Sequence, residues 1–180
     1  MTGSAAGFAV VDTETTGFGP GDRVIEVGVV LLGPDLAPES EWDTLVNPGA
    51  RGVGPTAVHR IRPADIADAP AFADIAGPLV GLVRGRVLVG HNVGFDARML
   101  NQEFERLGAG RPLHGRFSLD TLRLTKAEAL SPSGVYTLDR LCDHLHIDRR
   151  PAHAALADAR ATAELLALAA AAGLARLDRP

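Results

Sequence analysis

The first fifty residues alternate between apolar runs and short turn clusters. "GFAVVD" is a continuous apolar run of the kind a strand covered on both faces needs. A Gly/Pro turn at Gly17–Gly21 separates it from "RVIEVGVVLLG", and a second, Gly33–Pro38, precedes "EWDTLVN". These three strands are expected to form an antiparallel meander. From Thr56 onward the pattern turns helical. In "PAFADIAGPLVGLVRG", Phe72, Ile75, Leu79 and Leu82 recur at helical spacing, with Gly77-Pro78 expected to bend the segment. "RVLVGHN" reads as a fourth strand and "GFDARMLNQEFERLG" as a helix closed by Gly108. "GRFSLD" is a short fifth strand leading into "TLRLTKAEAL". "TLDRLCDHL" carries Leu138, Leu141, Cys142 and Leu145 on one stripe, and an Ala-rich helix runs from about Ala154 to Ala172. Strands first, then helices alternating with strands, predict an α/β fold: a mixed five-stranded sheet flanked by helices on both faces.

Composition narrows the class. A chain of 180 residues, 46% hydrophobic and 22% charged, has the makeup of one globular domain, with a core expected over about 7–175. One cysteine, Cys142, excludes an internal disulfide and argues against a cysteine-based zinc site. The N-terminus lacks a basic segment followed by an apolar stretch, and "LLALAAAAGLA" is too short to span a bilayer, so a cytoplasmic protein with no membrane association is expected. The net charge of −4 argues against a protein that wraps or scans duplex DNA. It leaves room for an enzyme that grips a few nucleotides through metal ions.

Candidate chemistry begins where the first apolar run ends. In "VVDTETTG" the alternation of a strand points Asp12 and Glu14 the same way, about 6.5–7 Å apart along the chain. Two like charges on one half-buried face need an offset, which a bound cation supplies and a plain polar rim supplies as well. Asp96 in "VGHNVGFDARML" falls on the stripe of Leu100, Phe104 and Leu107, and so tends inward where the fourth strand ends. In "RPAHAALADARATAELL", His153 and Asp158 lie about 140° apart on a continuous helix, so they act together only if His153 precedes the helix proper. Four carboxylates from distant segments, with one histidine, suit two hard cations such as Mg²⁺ or Mn²⁺. His144 and His146 read as surface residues, and "GFGPG" lacks a dinucleotide-binding spacing.

Taken in order, "VVDTETTG", "GHNVGFD" and "HAALADA" resemble the three motifs of the DEDD 3′–5′ exonucleases, specifically the DEDDh subgroup, and look most like its proofreading branch. "NPGARGVGPTAVHRI", "SLDTLRL" and "TLDRLCDHLHI" are similar to further family segments, and the likeness runs from about Phe8 to Ala172. The resemblance implies a ribonuclease H-like sheet and hydrolysis of phosphodiesters with two divalent cations, Mg²⁺ or Mn²⁺. It implies that Asp12, Glu14 and Asp158 hold the tighter metal, that Asp12 also reaches the second, and that Asp96 acts through coordinated water. His153 would be the general base. The DEDDy subgroup has a tyrosine four residues before the last aspartate, where this chain has Ala154. The nucleotide pocket would comprise Thr15, Thr16, Val58, His59, His91, Asn92 and Phe95. The implied partner is a single-stranded nucleic-acid 3′ end, DNA favoured over RNA. Proofreading members carry a further segment that binds a polymerase; with about 20 residues past Asp158 that segment is not expected here, which sets a polymerase partnership in question. The alternatives are an exoribonuclease of the same subgroup and a non-catalytic binding module. An aspartyl-nucleophile phosphatase built on Asp12 would need a downstream lysine followed by an acidic pair, which Lys126 does not supply.

Overall fold

Strand β1 (Phe8–Thr15) is the axis of the molecule because both of its faces are apolar. The structure, a computed structural model, describes residues 6–113, 117–149 and 154–177, with side chains as far as Gly173. On one side of the sheet Ala9 and Val11 pack with Phe72, Leu79, Leu100 and Phe104. On the other Val10 packs with Val30, Val89, Ala159 and Leu166. β2 (Val24–Leu32) and β3 (Pro38–Leu45) extend β1 as the expected antiparallel meander. β4 (Val87–Gly90) and β5 (Ser118–Asp120) add parallel neighbours on the other edge, giving the order β3-β2-β1-β4-β5. A short helix α1 (Thr56–His59) and α2 (Phe72–Val83) lead from β3 to β4. α3 (Val93–Arg106) joins α2 on the first face, and α6 (Ala155–Leu177) covers the second, with α4 (Thr121–Ala127) and α5 (Leu138–Leu145) beside it. Among the described residues no helix is long and apolar enough to cross a membrane.

Two details depart from the sequence expectations. Through Gly77-Pro78 the segment is a single helix. Gly77 and Pro78 lie on its exposed side, where water can satisfy the carbonyl freed by the missing N–H. Its buried stripe is Phe72, Ile75, Leu79 and Val83, with Val83 in place of Leu82. Leu107 is likewise exposed, because α3 ends at Arg106 and the chain leaves through Gly108 at φ 72°.

Buried charge ties the first face together. Glu103 on α3 is fully buried, and its carboxylate accepts from Arg23 Nε at 2.7 Å, Arg23 Nη2 at 2.9 Å and the backbone N–H of Val24 at 3.1 Å. This pins α3 to the start of β2, just below the loop that follows β1. Phe72 and Phe104 meet edge to face at 5.1 Å between ring centres, an arrangement worth about 0.5–1.5 kcal/mol beyond the area it buries.

Candidate active site

Because β1 and β4 are parallel, their carboxyl ends meet on one edge of the sheet, and four acidic side chains gather there. Asp12 and Glu14 project from β1 on the α6 side. Asp158, one turn into α6, is buried and faces them. One carboxylate oxygen from each of the three lies within 4.8 Å of the others. Asp96, in the first turn of α3, comes from the opposite face, is buried and accepts a 2.8 Å hydrogen bond from Thr13 Oγ1. It lies outside the three-oxygen group, though close enough to Asp12 to repel it.

Two backbone features make this convergence possible. Asp12 pairs in register with Gly28 on β2, and Glu14 with Glu26. A Cβ on Gly28 would stand 2.4 Å from the backbone of Ala155 and Leu156, so only glycine lets α6 begin directly against the sheet. Glu26 then accepts the Ala155 N–H at 3.0 Å, capping α6 next to the stretch that holds His153. His153 itself lies outside the described residues.

The electrostatics follow from crowding. Burial pushes the Asp12 carboxyl well above its usual range, and the neighbouring Asp96, Asp158 and Glu14 push it further. Glu14 is pushed up to about 7 by burial and by repulsion from Asp158 and Glu26. Asp96 is also pushed up to about 7, by burial in the main, against the Thr13 hydrogen bond. The positive charge of Arg149 pulls both Asp12 and Glu14 back down. The donor set fits a divalent cation: hard oxygens at one point, each costly to ionise without positive charge.

The residues expected to line a nucleotide pocket are distributed around this centre in three ways. Thr15 and Thr16 are buried and shape the loop after β1: Thr15 Oγ1 donates to the Gly17 carbonyl at 2.8 Å, and Thr16 Oγ1 to Asp22 Oδ1 at 3.0 Å. Gly54, at φ 77°, brings the following loop against the Thr16 carbonyl, where a Cβ would come within 2.2 Å. That loop leads to Val58, half exposed, and to His59, which is buried and accepts the Ile61 N–H at Nδ1 (3.0 Å). Burial lowers the His59 pKa, so the ring is held neutral.

His91 and Asn92 differ from simple pocket walls. His91 Nε2 is 2.8 Å from the Tyr136 carbonyl, which can only accept, so Nε2 carries the proton and Nδ1 accepts from Thr121 Oγ1 at 3.0 Å. Both ring nitrogens are thus engaged by the protein, tying the end of β4 to Thr121 and Tyr136. Asn92 opens α3 in the left-handed region, at φ 74°, exposed toward the site, with its N–H donated to Asp120 Oδ1. Phe95 is partly buried.

Several residues of this site had weak sequence signals. Phe18, in the turn after β1, is 77% exposed, with its ring 5.7 Å from that of Phe95. Arg98 lies 5.2 Å over the Phe95 ring and donates to the Phe18 carbonyl at 3.1 Å. A large apolar residue amid turn formers was the available clue. Asp22, which gathers Thr16, Gly19 N–H and Arg51, sits among similar polar turn residues and could not be singled out. Thr13 was passed over, though strand alternation between Asp12 and Glu14 sends it to the face where Asp96 arrives. Arg149, whose guanidinium donates to Asp158 and to Asp139, left no trace in spacing or periodicity.

Acidic residues converging at the carboxyl ends of two parallel strands form a centre suited to metal-assisted phosphodiester hydrolysis. The RNase_T exonuclease family model matches residues 9–166, and the chain belongs to that family. It is 35% identical over 170 residues to DNA polymerase III subunit epsilon of Escherichia coli K12, a match covering 87% of this chain and 68% of that one. In fold it is similar to E. coli exonuclease I in complex with a dT13 oligonucleotide, at TM-score 0.81 and 23% identity over 95% of this chain and 42% of that one. It is also similar to exonuclease X in complex with 5′ overhanging duplex DNA, at TM-score 0.67 and 26% identity over 90% of each chain. The chain spans about two fifths of exonuclease I.

Proposed function

We propose that this exonuclease removes nucleotides one at a time from single-stranded or frayed 3′ ends, DNA in preference to RNA, releasing 5′-mononucleotides. The observation that carries the reading is the meeting of Asp12, Glu14 and Asp158 oxygens within 4.8 Å, with Asp96 beside them. Asp12, Glu14 and Asp158 would hold one divalent cation, and Asp12 with Asp96 a second, Mg²⁺ or Mn²⁺. Such ions, when bound, stabilise charge developing on the attacked phosphate and on the departing oxygen.

The protein's own residues supply position and proton transfer. Asn92 and the loop of Thr15 and Thr16 offer polar groups at the rim, while Phe95, Phe18, Val58 and His59 give the terminal base a face to lie against. The His153 imidazole would take the proton of the attacking water, since its ordinary pKa lies near neutral pH. The preference for DNA is supported by the oligonucleotide and duplex DNA named in the complexes of the similar exonucleases.

The test is direct. Purified protein is given matched 5′-labelled single-stranded DNA and RNA with EDTA, Mg²⁺ or Mn²⁺. A metal-dependent ladder that is faster on DNA supports the reading. A faster RNA ladder would make it an exoribonuclease, and no ladder with either polymer would leave a binding module.

A further inference from the structure

Arg149 lies between α5 and α6, nine positions before Asp158, and both side chains are nearly fully buried, at 8% and 6% exposure. One arm of its guanidinium donates to Asp158 Oδ2 and the other to Asp139 Oδ1. Asp139 opens α5 and its side chain is 58% exposed, so the arginine spans from the carboxylate cluster to the solvent edge. An arginine cannot shed its charge here. It already occupies Oδ2 of Asp158, one of the three carboxylates whose oxygens lie within 4.8 Å of one another.

Resting on the metal-dependent reading above, we infer that Arg149 is a built-in counter-cation of the carboxylate cluster. A divalent ion must displace it from Asp158, and Asp139 receives it. Charge favours the displaced arrangement when the ions are bound and the paired one when they are absent. Asp12, Glu14, Asp96 and Asp158 together carry a formal charge that two divalent ions balance. A guanidinium left among them would be surplus and would repel the incoming ion at contact distance. Paired with Asp139 alone, it is neutralised outside the cluster. Without a metal, it is the group that opposes the mutual repulsion of Asp12 and Glu14. The protein's affinity for divalent ions is therefore set partly by the competition between Asp139 and Asp158 for one arginine.

The inference separates from plain electrostatics in a double-mutant cycle. Mn²⁺ binding is measured by calorimetric titration, and melting temperature in EDTA, for the full chain and for Arg149→Met, Asp139→Asn and the double variant. Arg149→Met should bind Mn²⁺ about tenfold more tightly and melt at lower temperature in EDTA. Asp139→Asn, at an exposed position that leaves the fold intact, should bind it several-fold more weakly, because Arg149 then has only Asp158. In the double variant the Asp139 effect should vanish. Equal weakening by Asp139→Asn with and without Arg149 would mean simple loss of a nearby charge and would overturn the inference. So would unchanged Mn²⁺ affinity in Arg149→Met. Failure of the unmodified protein to take up Mn²⁺ would overturn the metal reading itself, and this inference with it.

Discussion

Single side chains decide whether this site ionises. Glu14 and Asp96 hold their protons up to about pH 7 in the folded chain, against about 4 when unfolded. A carboxyl bound to its proton more tightly when folded stabilises the fold below its unfolded pKa and loses that contribution as pH rises through the folded value. The metal-free protein should therefore melt at a lower temperature at pH 8 than at pH 6, measured by scanning calorimetry in EDTA. Glu14→Gln should flatten that dependence. The window stays above pH 6 because Asp65, held down to about 2 by Arg62, and other paired carboxylates pull stability the other way in acid. Asp12→Asn and Asp158→Asn should each lower the exonuclease rate at least ~10³-fold. Asp12→Asn should also raise the metal-free melting temperature by removing a crowded charge, whereas Asp158→Asn should lower it by leaving the buried Arg149 guanidinium without its buried partner. A variant with undiminished cleavage would remove its residue from the mechanism. His153→Ala should cost roughly 10²–10⁴-fold in rate with Mn²⁺ affinity retained, and a loss of that affinity would make the histidine a ligand.

At the scale of elements, the placement of α6 against β2 matters more than either element's propensity. Gly28→Ala forces a Cβ into the backbone of Ala155 and Leu156, so α6 must shift or tilt. Overpacking of this kind costs about 1–3 kcal/mol, but misplacing Asp158 by an ångström should cost the rate ~10²-fold. Activity in Gly28→Ala should thus fall well below what its melting temperature explains, and the two measured together check this. The sequence showed the elements because hydrophobic period is local: the meander, α3 with its Gly108 exit, and the inward lean of Asp96 all follow from spacing. It also showed Asp12, Glu14 and Asp158 as acids in suggestive positions. What it could not show depends on which elements touch. Gly28 reads as a weak point in a strand until α6 lies on it. Glu26 reads as an edge acid until it caps Ala155. Arg149 and Glu103 read as surface charge until the fold buries them.

The whole molecule carries a net charge of −4, so a long electrostatic grip on nucleic acid is not what holds a substrate here. On the function proposed above, binding would concentrate on the terminal nucleotide, at the acidic centre through its cations and at the rim of Asn92, Phe95 and Phe18. A pocket of that kind takes an unpaired end. A paired terminus has to fray first, at a few kcal/mol of unpairing and unstacking, equivalent to about 10–10³-fold in rate. Few phosphates beyond the end are held, so each product should dissociate before the next cut, and affinity should fall only gently as salt rises. With 5′-labelled DNA in excess over enzyme, the expected result is a ladder in which every intermediate length accumulates. Single strands should be shortened fastest, mismatched 3′ ends more slowly and blunt duplexes slowest. A circular single strand should survive intact. Equal rates on single strands and blunt duplexes would mean that the end is not unpaired in the site, and cuts in the circle would mean that no free 3′ end is required.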